Sequence, residues 1–135
     1  MKTMSGVISL AACLLLAIPV GSCAHTKSVP VMVGGDAESD ACGAVGEVKG
    51  LRSGGDGFLA VRAGPGTSYR VVDKIGNGQL LYLCDATDDG AWLAVVYGPD
   101  DDDCGVSSPL QARQAYQGTC KAGWVKATWI EVVAG

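Results

Sequence analysis

From Gly43 onward, β-branched and aromatic residues fall in short runs split by glycine-rich turns, and nowhere do apolar residues recur at i, i+3, i+4 and i+7 over a helix length. That pattern confines the chain to an all-β fold. The expected strands cover residues 46–51, 58–62, 71–75, 79–85, 92–97, 123–126 and 129–132. Asn77-Gly78 signals a turn between two of them, and Asp88-Asp89-Gly90 signals another. Strands this short at regular spacing point to a small barrel or sandwich; a barrel pairs its own edges and suits a core of this size.

Within that pattern, Leu59-Ala60-Val61-Arg62-Ala63-Gly64-Pro65-Gly66-Thr67-Ser68-Tyr69 runs from strand-like alternation into a turn of fixed chemistry. Val61 and Arg62 point to opposite faces of an extended segment. Pro65 is locked near φ −65° between Gly64 and Gly66, two residues that can take positive φ. The segment resembles the Val-Arg-(Ser/Ala)-Gly-Pro-Gly-Thr-x-Tyr run near the N-terminus of bacterial SH3-like (SH3b) domains. A second signature of those domains, Gly123-Trp124-Val125, follows in the expected order. The resemblance spans residues 46–133 and implies a small, partly open SH3-like β-barrel.

One segment departs from the family pattern. About twenty-five residues separate Tyr97 from Gly123, where many relatives make a tight turn, and they include Asp100, Asp101, Asp102 and Asp103. A loop of this length inside a compact domain is uncommon unless it is functional or tied down. Four cysteines of the expected domain, Cys42, Cys84, Cys104 and Cys120, can make two disulfides in three connectivities. Cys104 with Cys120 and Cys42 with Cys84 is the preferred pairing: the first staples the ends of the excursion, and the second pins the N-terminal arm.

Residues 1–23 have the anatomy of an export signal, with Lys2, an apolar stretch from Val7 to Val20 and small residues after it. The stretch is shorter than the roughly 20 residues of a membrane-spanning helix and holds Pro19 near its end. Val20-Gly21-Ser22-Cys23 resembles a bacterial lipobox, which would make Cys23 an acylated N-terminus; Ser22-Cys23-Ala24 also fits ordinary signal peptidase. Ala24 in place of Asp, by resemblance to enterobacterial lipoproteins, implies the periplasmic face of the outer membrane. The alternative is a secreted or periplasmic protein, so contact with a membrane is expected only through the lipid anchor. Residues 24–42, small, polar and acidic, read as a flexible linker, leaving residues 43–135 as the domain.

Without residues 1–23 the chain keeps nine basic and all fourteen acidic residues, so nucleic acid is not an expected partner. Catalysis needs a nucleophile with its base, a poised acid–base pair or a metal. The only histidine, His25, precedes the domain, no Cys-x-x-Cys spacing occurs, and Ser53, Ser68, Ser107 and Ser108 lack a motif partner. Neither an enzyme nor a metal or cofactor is expected. The four consecutive aspartates do not alternate as calcium ligands do and read as a solvated loop tip. The resemblance implies a binding module for peptide, including peptidoglycan stem or bridge peptides, with Tyr69 at the aromatic ligand position. Arg62, Trp92, Tyr97 and Trp124 complete the candidate surface. The rival expectation is an inhibitor or immunity-type protein that inserts its Cys104–Cys120 loop into an envelope partner.

Overall fold

A computed structural model of the chain describes residues 27–52, 57–99 and 102–135. The expected signal and Cys23 therefore lie outside the described residues. The strands are β1 (Met32–Val33), β2 (Ala44–Val48), β3 (Leu59–Arg62), β4 (Val71–Ile75), β5 (Leu80–Ala86), β6 (Trp92–Tyr97), β7 (Gln114–Ala115), β8 (Lys121–Lys126) and β9 (Ile130–Ala134). Seven of them form one sheet in the order β4-β3-β8-β6-β5-β2-β9, antiparallel throughout, and β1 pairs with β7 in a separate ladder. Among the described residues there is no α-helix, only a 3₁₀ turn at Ala127–Trp129.

The sheet curls because alternate side chains from six strands meet on one side of it. Val48, Leu59, Val61, Ile75, Leu81, Val95, Tyr97 and Val125 form this inner core. β4 lies at one end of the sheet and β2 next to the other, yet both feed the same core, while β4 and β9 do not pair. The result is an open, barrel-like sheet. Register shifts on β2–β9, β3–β4 and β5–β6 add the local twist that such curvature needs. The Asn77-Gly78 turn makes a corner rather than a hairpin, since β4 and β5 are not neighbours. Asn77 fastens that corner by accepting from the Leu51 amide at 3.1 Å and donating to the Leu51 carbonyl at 3.0 Å. Asp88-Asp89-Gly90 does close a hairpin, β5–β6, where Asp89 accepts from the Ala91 amide and the Thr87 hydroxyl.

A second core lies on the opposite side of β5, β6 and β8. Ala94, Val96 and Trp124 face outward there and are covered by Val31, Val33, Ala41, Cys42, Cys104 and Val106. The unbroken apolar run Trp92-Leu93-Ala94-Val95-Val96-Tyr97 is the consequence, because a strand buried on both faces cannot alternate with polar residues. The cover is built from the N-terminal arm and the excursion between β6 and β8. β1 pairs with β7, the Ala41 and Cys42 amides donate to the Ser108 and Val106 carbonyls, and Asp36 bridges to Leu110. Disulfides Cys42–Cys84 and Cys104–Cys120, the pairing preferred above, tie the arm to β5 and the excursion to the start of β8. Two disulfides fit an oxidising, exported setting.

The arm corrects an expectation. Residues 27–42 are not a linker: Val31, Val33, Ala41 and Cys42 are 2–6% exposed, and the folded unit extends at least to Val29, whose amide donates to the Ala63 carbonyl. Small and acidic residues at 34–40 lowered the average hydrophobicity and hid the alternating Val29, Val31 and Val33 beside them.

Candidate functional site

The Gly-Pro-Gly segment is a packed corner. Among the described residues the positive-φ glycines lie elsewhere, so neither Gly64 nor Gly66 uses the positive-φ freedom open to it. Gly64 is needed for space: a Cβ there would run into the ring of Tyr69, which lies over it. Arg62 locks the same corner, its Nη1 donating to the carbonyls of Tyr69 at 2.9 Å and Thr67 at 3.2 Å. Tyr69 is thus half-buried against its own loop, with Lys27 Nζ 5.1 Å from the ring centroid.

The Gly123-Trp124-Val125 signature has an equally physical cause. A Cβ on Gly123 would meet Val61 Cγ1 at 2.5 Å and the Arg62 carbonyl at 3.0 Å, so glycine lets β8 press against β3. Val125 then enters the inner core and Trp124 the outer one. Trp124 is 5% exposed and donates its indole N–H to the Val29 carbonyl at 2.9 Å, binding the arm rather than a ligand. Its expected place on the ligand surface is corrected accordingly.

Tyr97 is also withdrawn from the surface, at 4% exposure in the inner core. Its hydroxyl reaches Asp73 Oδ2 at 2.7 Å, and Lys121 Nζ stands 3.3 Å from the same oxygen. Burial, then the bond to the Asp73 carboxylate, pushes the Tyr97 phenol well above its ordinary range. The Tyr97 hydrogen bond, helped by Lys121 and opposed by desolvation, holds Asp73 below the usual carboxylate range. This cluster sits in an open hollow of about 560 Å³ with Gln79, Asp102 and Thr119 on its walls. Both groups move away from neutral pH, the opposite of what a general acid or base working there requires. Asp102, Cys104 and Cys120 approach one another nearby, but both sulfurs are spent in the disulfide.

Arg62 and Trp92 are the two expected site residues brought to one groove. It measures about 340 Å³ and is lined by Phe58, Leu59, Ala60, Arg62, Thr67, Trp92, Lys126 and Trp129. Its floor is the part of the sheet's outer face that the arm and excursion leave open. The β3 residues Ala60 and Arg62 alternate with buried Leu59 and Val61, and Trp92 stands opposite Lys126 across β6 and β8. Phe58 and Trp129 are 38% and 36% exposed, a large apolar area for a chain with one phenylalanine and three tryptophans. Lys74 caps the Phe58 ring, its Nζ 4.6 Å from the centroid. The groove thus joins aromatic faces to cationic side chains, and among the described residues its lining holds no acidic side chain.

Phe58, Lys126 and Trp129 escaped the sequence reading. Period-two spacing carried the signal for two of them: Phe58 shares a face with Ala60 and Arg62, and Lys126 with Trp124. Trp129 carried none, because a 3₁₀ turn places it. No protein-family model, curated protein or solved structure matches the chain.

Proposed function

We propose that the protein is a non-catalytic, exported binding module of the bacterial envelope with an SH3-like fold, and that it recognises peptide, in particular the stem or bridge peptides of peptidoglycan. The groove between β3, β8 and β6 carries this reading. Aromatic faces beside fixed donors are the combination by which short extended peptides are held. The tied loop supports a partner-inserting inhibitor less well, because Val106 is buried and Leu110 packs against the outer core.

The reading includes a lipid anchor at Cys23. Only three residues lie between Cys23 and Lys27, and the four steps of chain reach at most about 14 Å. An anchored domain would stand close to the bilayer rather than at the end of a long tether. Intact-mass measurement of the exported protein reports the acyl chains and the cleavage site together.

The functional test is co-sedimentation of the purified protein with isolated peptidoglycan. Binding is expected, with a loss of at least tenfold in affinity for Trp129→Ala at unchanged folding. Failure of the wild-type protein to co-sediment refutes the reading.

A further inference from the structure

Three features of the groove bear on the chemistry of what it takes. First, Arg62 is held in place by the two bonds from Nη1, and among the described residues its Nε and Nη2 have no protein partner. Those two nitrogens form one edge of the planar guanidinium, the edge that receives a carboxylate through two parallel hydrogen bonds. Second, Lys126 makes no ion pair among the described residues, whereas Lys49, Arg113 and Lys121 each face a carboxylate. Third, Arg62 pairs with Trp124 across β3 and β8, so Lys126, two residues further along β8, is its diagonal neighbour on the same face. Diagonal neighbours lie about 7–8 Å apart, within reach of two long side chains closing on one group.

An acidic chain of net charge −4 therefore keeps a cationic pair beside exposed aromatic rings. We propose that the groove recognises the free α-carboxylate at the end of its peptide ligand. The carboxylate bonds to the open edge of Arg62 and to the Lys126 ammonium, and the adjoining small apolar residues lie on Trp129 and Phe58. The inference rests on the groove being the peptide site and adds the part of the peptide that is read: its acidic terminus rather than a glycan or an amidated bridge.

The test is calorimetric titration of the purified protein with diacetyl-L-Lys-D-Ala-D-Ala as the free acid and as its C-terminal amide. These probes differ in one charged group. The acid is expected to bind at least tenfold more tightly, and its affinity to fall as salt rises. Lys126 is exposed and can be changed without disturbing the core. Lys126→Gln should weaken the acid about fivefold or more and leave the amide unchanged. Equal affinity for acid and amide, or binding of isolated peptidoglycan with no binding of either probe, overturns the carboxylate proposal and leaves the peptide reading standing. No binding of peptidoglycan or of either probe overturns both.

Discussion

Val33→Ala tests whether the N-terminal arm belongs to the folded domain. Val33 is 2% exposed in the outer core and pairs with Gln114 across the β1–β7 ladder. The substitution removes two methyl groups, about 1.6 kcal/mol of transfer free energy at ~0.8 kcal/mol per carbon. A residual cavity of roughly 40–50 Å³ adds about 1 kcal/mol at ~24 cal/mol per Å³. The expected loss is about 2–3 kcal/mol, which lowers the melting temperature of a domain this size by roughly 8–12 °C. Urea unfolding of the purified protein, followed by tryptophan fluorescence and far-ultraviolet circular dichroism, measures it. Glu38→Ala, in the same segment but exposed, is the control and should change stability by less than about 0.5 kcal/mol. If Val33→Ala is as silent as Glu38→Ala, the arm is a linker and the account of the outer core fails.

Gly64→Ala should destabilise by about 1–3 kcal/mol, because its methyl must displace the Tyr69 ring. The Gly64→Ala, Tyr69→Ala double variant should lose less than the sum of the singles in equilibrium unfolding; strict additivity would show that the two do not meet. Tyr97→Phe removes the hydrogen bond that contributes most to holding Asp73 below the usual carboxylate range. A carboxylate whose pKa is depressed by folding contributes stability above its unfolded pKa and loses it as pH falls through the folded value. Tyr97→Phe should therefore cost about 1.5 kcal/mol at pH 7, the lower end for a bond to a charged group, and clearly less at pH 3. An identical cost at both pH values would show that the Tyr97–Asp73 bond does not govern the titration.

Much of the fold is legible in the sequence because the strands obey period two and their turns use residues with restricted chemistry. β4 and β6 fall at the expected residues, and the other strands of the seven-stranded sheet shift by one to three residues at their ends. The arm is the instructive miss. Val29, Val31 and Val33 alternate as a strand should, yet β1 is only two residues long and its partner β7 is some eighty residues away. Local pattern carries no information about such a partner. The run Trp92-Leu93-Ala94-Val95-Val96-Tyr97 reads in sequence only as a strand; its six consecutive apolar residues fit the second covered face that the structure shows.

The site was less legible than the fold, because one aromatic side chain looks like another in sequence. Trp92, Trp124 and Trp129 all follow or sit in expected strands, but one lines a groove, one is sealed beneath the arm and one projects from a 3₁₀ turn. Tyr69, the aromatic ligand position that the resemblance implies, and Tyr97 are each engaged within the protein, by Gly64 and by Asp73. Arg62 lines the groove, and the bonds that fix its own loop also orient its Nε–Nη2 edge, which has no partner among the described residues.

The three tryptophans make the central claim directly measurable. In a ¹H–¹⁵N correlation spectrum each indole N–H gives its own signal, and soluble peptidoglycan fragments can be titrated while all three are watched. If the β3–β8–β6 groove is the binding site, the Trp92 and Trp129 signals move in a saturable way. The Trp124 signal, whose N–H is held by the Val29 carbonyl, stays in place. Saturable shifts confined to Trp124, or to residues around Tyr97 and Asp73 with Trp92 and Trp129 unmoved, would contradict the account.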